Sequence, residues 1–262
     1  MRTILIIGIG AGDPGQLTLA ATEAMRRADV FFLLDKGAEK HDLIALRQEL
    51  MAGFARPDHR AVEVRDPDRD RSADGYVRAV DDWRRERADL LEAAIAEHLP
   101  DDGCGAFLVW GDPALYDSTL AVVEDILARQ RITFTYTVIP GISSVATLAA
   151  RHRIGLNRVG RPFLVTTGRR LAAQLPHDVD DIVVMLDAHC AFTQYVDEDL
   201  DIFWGAYLGT ADEILIAGYL PDVAECIVRT RREARERKGW IMDTYLLRRR
   251  DRPISARAAS RP

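Results

Sequence analysis

Cysteine is scarce. Cys104, Cys190 and Cys226 are the only three in 262 residues, lie far apart and form no C-x-x-C pair. The sequence therefore encodes neither a disulfide framework nor a cysteine-rich zinc site, and it fits a reducing cytoplasm. The histidines are few as well, and His41, His152, His177 and His189 show no metal-ligand spacing, so no metal site is expected. Excess positive charge is missing: the formal net charge is -6, which removes the global attraction for a phosphate backbone and argues against a nucleic-acid partner. Long apolar runs are missing too. The longest charge-free span, 132–150, is broken by Pro140-Gly141 and rich in Thr and Ser, so no membrane partner is expected.

What remains is ordinary globular material, 48% hydrophobic and 29% charged, sufficient for one large core or two smaller ones. Behind Arg2, the run Ile4-Leu5-Ile6-Ile7 is too short for a signal peptide and passes directly into glycine, which predicts a buried parallel strand. Thr18 is placed to cap a helix ending at Arg26-Arg27, and Val30–Leu34 reads as a second strand. Residues 35–75 read as charged loop, with the Arg65–Arg71 run solvated. Tyr76, Val80, Trp83, Arg87, Leu91 and Ile95 then recur at helical spacing, which places Trp83 in a core.

Strand Cys104–Trp110, helix Ser118–Arg129 and strand Phe134–Ile139 continue the alternation. In the second half, strands are expected at Phe163–Thr167, Ile182–Leu186, Ile202–Leu208 and Trp240–Leu247. A helix is expected at Asp212–Leu220, followed by an Arg-rich stretch Arg229–Lys238 and a loose tail after Arg252. The alternation predicts an α/β protein whose strands are parallel and covered by helices.

Three strand-end loops are candidate ligand sites, because ligands of open α/β sheets bind beyond the carboxyl ends of the strands. The first is Gly8-Ile9-Gly10-Ala11-Gly12-Asp13-Pro14. It departs from the dinucleotide pattern G-x-G-x-x-G, since Asp13 holds the place of the third glycine, although Asp35 after the second strand could be read as a ribose-binding acid. The second is Trp110 to Thr119, where Gly111 permits a bend and Pro113 fixes the chain so that backbone oxygens can wrap a flat or cationic ligand. The third, Val138 to Val145, puts Ser143 and Ser144 behind a Pro140-Gly141 bend. Each has a plain alternative: a connecting turn, a common Gly-Asp-Pro turn, and a serine helix cap, respectively.

Taken in order, Gly8–Thr18, Gly111-Asp112-Pro113, Pro140–Ser144, Met185-Leu186, and Leu208-Gly209-Thr210 with Asp212-Glu213 resemble the motifs of the tetrapyrrole methylase family along almost the whole chain. The resemblance implies two α/β domains, an N-terminal parallel sheet and a C-terminal mixed sheet, with a cofactor cleft between them. Residues 1–138 would form its substrate side and 139–262 its cofactor side. It implies S-adenosylmethionine as methyl donor, held largely by backbone at Ala11, Gly12, Gly111, Asp112, Leu115, Ser143, Ser144, Met185, Leu186 and Gly209. A tetrapyrrole substrate and a homodimer are implied as well.

Within the family, the run VFFLLDKG (30–37), the charged insertion after it, Trp110 and Trp240–Tyr245 are most similar to members that methylate C1 of precorrin-5 and release acetate to give precorrin-6A, a step of cobalamin biosynthesis. Acetate release calls for a base and an oxyanion donor, for which Asp35 and Tyr116 are the catalytic candidates, then Asp112. Arg151, Arg153, Arg158 and Arg161 are expected to meet substrate carboxylates, with Arg229–Lys238 as a competing patch. The alternatives are a uroporphyrinogen, ribosomal RNA ribose or diphthine type of methyltransferase and, in a different class, an NAD-dependent dehydrogenase.

Overall fold

The computed structural model describes residues 1–35, 41–67 and 76–250, with the side chains of 41–43 and 76–80 left aside. The end of the VFFLLDKG run, residues 68–71 of the charged run, the side chains of His41, Tyr76 and Val80, and the tail after Arg252 therefore lie outside the described residues.

The chain divides into two compact units, and the first is Met1–Ser143. It contains β1 (Arg2–Gly8), α1 (Leu19–Arg27), β2 (Val30–Asp35), α2 (His41–Phe54), β3 (Arg60–Arg65), α3 (Tyr76–His98), β4 (Cys104–Val109), α4 (Thr119–Arg129) and β5 (Phe134–Ile139). Its sheet runs β3-β2-β4-β1-β5, with all pairs parallel. β1 is a continuous apolar run because both of its faces are covered. Leu5 and Ile7 pack with Ala21, Ala24 and Met25 of α1 and Leu50 and Met51 of α2, whereas Ile4 and Ile6 pack with Leu91 and Ile95 of α3 and Val122, Val123 and Ile126 of α4. Thr18 caps α1, its Oγ1 accepting from Ala21 N–H at 3.0 Å. The unit extends through the loop after β5, since Ile139 still pairs with Ile7 and Gly141 N–H still donates to Asp112.

Residues 35–75 are not all loop: α2 and β3 lie inside them. β3 is an edge strand with Val64 its only buried residue, so charge at its other positions masks the strand pattern. Trp83 is half-buried rather than core. The Arg87 guanidinium lies 3.9 Å from its ring centroid, and its indole N–H donates to Pro67 O at 3.0 Å.

The second unit begins at Ser144 and holds α5 (Ser144–His152), β6 (Phe163–Thr167), α6 (Gly168–Ala173), β7 (Asp181–Met185), β8 (Leu200–Ala206), β9 (Ile214–Tyr219), α7 (Leu220–Lys238) and β10 (Asp243–Arg249). The order is β6-β7-β10-β8-β9, with β6 and β7 parallel and the other pairs antiparallel: a mixed sheet. The expected helix at Asp212–Leu220 is instead strand β9, where Ile214 and Ile216 alternate with more exposed residues. The helix starts at Leu220 with Pro221 in its first turn and carries the Arg-rich stretch to its C-cap Gly239. Among the described residues no helix is long and apolar enough to cross a membrane, and no three metal-binding side chains converge.

Candidate active site

In the first unit, β1 leads to α1 on one face and its neighbour β4 leads to α4 on the other. Connections that part in this way open a crevice at the carboxyl ends of the two strands, the usual ligand position in such sheets. The glycine loops meet there backbone to backbone. Gly10 and Gly111 form an antiparallel bridge, with Gly111 N–H donating to Gly10 O at 2.8 Å. A Cβ on Gly141 would stand 2.1 Å from Gly111 O and 2.8 Å from Gly8 C, so only glycine permits the approach.

Asp112 fastens the second loop to the third. One carboxylate oxygen accepts Ala114 N–H at 2.8 Å and the other accepts Gly141 N–H at 2.9 Å. Its chemistry is spent on backbone, so it is a poor candidate for the base. Leu115 N–H donates to Asp112 O at 3.1 Å. Tyr116 has φ 53° and is 47% exposed, an unusual backbone state for a large side chain that holds the ring outward. Ala11 and Gly12 are buried beside the bridge, Gly12 with φ 139°. Asp13 caps the short turn Pro14–Gln16 through Gly15 N–H at 2.8 Å, which explains why a third dinucleotide-type glycine is absent. Asp35 ends β2 at the same edge, half-buried, and Ser143 closes the unit.

The second unit gathers its candidates at one edge of its own sheet. Thr244 pairs with Met185 across β10 and β7, and Ser144 Oγ lies 3.3 Å from Thr244 Oγ1. Leu186 has φ 53° and is 65% exposed. Gly209, φ 78°, donates its N–H to Glu213 at 2.7 Å. Beneath Leu186 lies a buried network that the sequence did not reveal. Asp187 accepts from His189 N–H, Ala191 N–H and the Tyr245 hydroxyl, while Arg231 binds Asp187 O and the Asp243 carboxylate. Burial raises the Tyr245 hydroxyl well above its ordinary value and pushes the Asp243 carboxyl up against the pull of Arg231.

Of the four arginines expected at carboxylates, Arg151 is paired with Glu213 at 3.1 Å, and Arg158 lies 3.9 Å from Asp181 and donates to Arg249 O. Arg153 and Arg161 are exposed. Sequence reasoning also missed Arg47 and Arg87, both near the carboxyl edge of the first sheet. Arg87 donates to the Asp66 carboxylate and to Ser118 Oγ at 2.7 Å. A groove lined by Thr193, Val196, Pro221, Ala224 and Val228 contains none of the candidate residues.

This arrangement of loops coincides with a family pattern: the model for Tetrapyrrole (Corrin/Porphyrin) Methylases matches residues 3–224. The chain belongs to that family. Among tetrapyrrole methylase relatives, a precorrin-6A synthase (deacetylating) from Sinorhizobium sp is 49% identical over 249 residues, 95% of either chain. The crystal structure of a cobalamin synthesis related protein (CobF) from Corynebacterium diphtheriae superposes with a TM-score of 0.84 at 41% identity, covering 96% of this chain and 100% of that one. A uroporphyrin-III C-methyl transferase from Thermus thermophilus, complexed with S-adenosyl homocysteine, shares the fold at 18% identity and a TM-score of 0.57, over 98% of this chain and 99% of that one.

Proposed function

We propose that this tetrapyrrole methylase transfers a methyl group from S-adenosylmethionine to C1 of precorrin-5 and releases acetate, giving precorrin-6A. The observation that carries this reading is 49% identity to a deacetylating precorrin-6A synthase over 95% of both chains. The uroporphyrin and diphthine enzymes share the fold at only 15–20% identity, which supports the architecture and not their substrates. The dehydrogenase reading fails at Asp13.

The residues present fit the methyl donor. In the first unit, backbone bare of side chains at Gly12 and Gly111 suits close approach by a polar ligand, and in the second the exposed Leu186 side chain suits a flat base. The donor supplies an electrophilic methyl group. The proposal assigns its binding to Ala11, Gly12, Gly111, Asp112, Leu115 and Ser143, with Ser144, Met185, Leu186 and Gly209 as further contacts. Asp112 acts there as the clip that holds two loops together.

A ring carbon that exchanges acetyl for methyl while keeping its three skeletal bonds cannot carry both groups, so deacetylation comes first. Water adds to the acetyl carbonyl, and Asp35 takes the water proton. Collapse of the adduct breaks the bond to C1 and leaves acetate. The electron pair passes to C1, delocalised into the conjugated ring, and C1 attacks the methyl carbon in line as the carbon–sulfur bond breaks. Tyr116 orients the substrate. In-line placement contributes up to about 7–11 kcal/mol in well-aligned systems. The enzyme is assigned to the cytoplasm and to a homodimer.

The test is incubation with precorrin-5 and methyl-labelled S-adenosylmethionine, following label in the tetrapyrrole and acetate together. Equal yields of methylated product and acetate are expected. Methylation without acetate, or neither, would overturn the assignment.

A further inference from the structure

β7 leaves its sheet abruptly. Its ladder with β10 ends at Met185↔Thr244, and the next residue, Leu186, takes φ 53°, a left-handed state that crowds any side chain with a Cβ. Cys190 repeats that state at φ 54°. Neither residue type favours the conformation, so the segment 186–190 is strained at both ends and persists only because its surroundings hold it. Within it the chain turns inward at Asp187, 5% exposed, and outward at Leu186, 65% exposed. Leu186 is the segment's one large apolar side chain.

Asp187 is gripped from several directions. Its own loop supplies His189 N–H to one carboxylate oxygen at 3.0 Å and Ala191 N–H to the other at 2.7 Å. From β10 the Tyr245 hydroxyl donates to that second oxygen at 2.7 Å. From α7, Arg231 Nη2 donates to the Asp187 carbonyl at 2.7 Å, while Nε reaches the Asp243 carboxylate at 2.8 Å. The start of α6 lies against the same residue, since a Cβ on Gly168 would stand 2.5 Å from Asp187 Cβ. A carboxylate is costly to bury, and a simple turn needs none. The two N–H bonds close the loop on itself; Tyr245 and Arg231 add ties to elements distant in sequence, which fix the loop against the sheet. Burial and the Asp187 charge hold the Tyr245 hydroxyl well above its ordinary pKa, so it remains a donor at neutral pH.

We propose that Tyr245 is a positioning residue for the methyl donor: through Asp187 it holds Leu186 in its left-handed conformation and so presents the Leu186 side chain, already placed, to the adenine of S-adenosylmethionine. This rests on the methyl-donor reading given above. A loop released from Tyr245 relaxes toward unstrained backbone, and the donor must then order it on binding. Holding the loop beforehand removes that cost from the affinity.

The experiment is a double-mutant cycle read by S-adenosylhomocysteine calorimetry on folded protein, well below the unfolding temperature. Tyr245→Phe keeps the ring and its edge contact with Phe192 and loses only the hydroxyl. It is expected to weaken S-adenosylhomocysteine binding about tenfold, the loop's ordering cost now falling on the ligand. Leu186→Gly relieves the strain but deletes the presented side chain, and it is expected to weaken binding by a similar factor. With no side chain left to present, adding Tyr245→Phe to Leu186→Gly is expected to cost no more than about a further twofold. Unchanged affinity in either single variant overturns the proposal, and for Tyr245→Phe it leaves the hydroxyl a role in stability alone. Losses that multiply in the double variant also overturn it, because Tyr245 then acts by a route other than Leu186. Should Tyr245→Phe not fold, Asp187→Asn takes its place in the same cycle. It keeps the size of the side chain but has one acceptor oxygen where Asp187 has two, so full affinity overturns the assignment and a loss that vanishes in Leu186→Gly supports it. Failure of the unmodified protein to bind S-adenosylhomocysteine would instead overturn the functional reading itself.

Discussion

Gly141 shows how little room the crevice leaves. Its missing Cβ would meet backbone atoms of both Gly111 and Gly8, which cannot rotate away as a side chain would. Gly141→Ala is expected to cost about 1–3 kcal/mol of stability as an overpacked site and to weaken S-adenosylhomocysteine binding at least tenfold. Calorimetry on the folded variant checks this, and an unchanged affinity would make the three loops simple turns. A different residue-scale test lies at His152, where burial holds the imidazole below its ordinary pKa of 6.5 and Nε2 lies 3.0 Å from Trp204 O. The depressed value means that the unfolded chain takes up a proton first. The stability His152 lends is complete above pH 6.5 and is lost as pH falls through its folded value. Replacing it in His152→Gln should flatten the decline of melting temperature between about pH 7 and 5. An identical decline would place the acid sensitivity elsewhere. The positive φ of Tyr116 and Leu186 had no signal in the sequence, since neither residue type favours that conformation.

At the scale of elements, α3 does more than cover the sheet. Arg87, 3% exposed, holds Asp66 just after β3 and Ser118 at the start of α4, so one buried guanidinium fixes two segments at the carboxyl edge. Arg87→Leu strands the Asp66 carboxylate, and a loss of about 3–5 kcal/mol is expected. The double variant Arg87→Leu, Asp66→Leu should recover much of it, because the unpaired charge is then removed. Urea unfolding of the three proteins is the check; equal losses in the single and double variants would show that the pair does not carry the effect. The helical spacing of Arg87 with Leu91 and Ile95 was legible, but its partners were not, since Asp66 and Ser118 are brought to it only by β3 and α4. β3 and β9 escaped sequence reading for a common reason. Both are edge strands, so outward charge or small residues dilute the alternation that marks a strand.

For the whole molecule, a ligand that binds only the folded chain must raise its stability by mass action. At one hundred times its dissociation constant, S-adenosylhomocysteine is expected to add about 2.7 kcal/mol, and NAD nothing. A rise in melting temperature with NAD alone would reverse the cofactor assignment. The sequence by itself determined the alternation of strands and helices, the order of the five motifs and the place of Thr18 as a cap, because these depend on neighbours in the chain and on periodicity. It also pointed to Gly111 and Gly141 as bends. Only the tertiary structure decided that Asp112 is a clip, that Arg151 answers Glu213, and that Tyr245 donates to Asp187. Those roles depend on pairings between residues distant in sequence, and a side chain's chemistry is set by the partner that folding delivers to it.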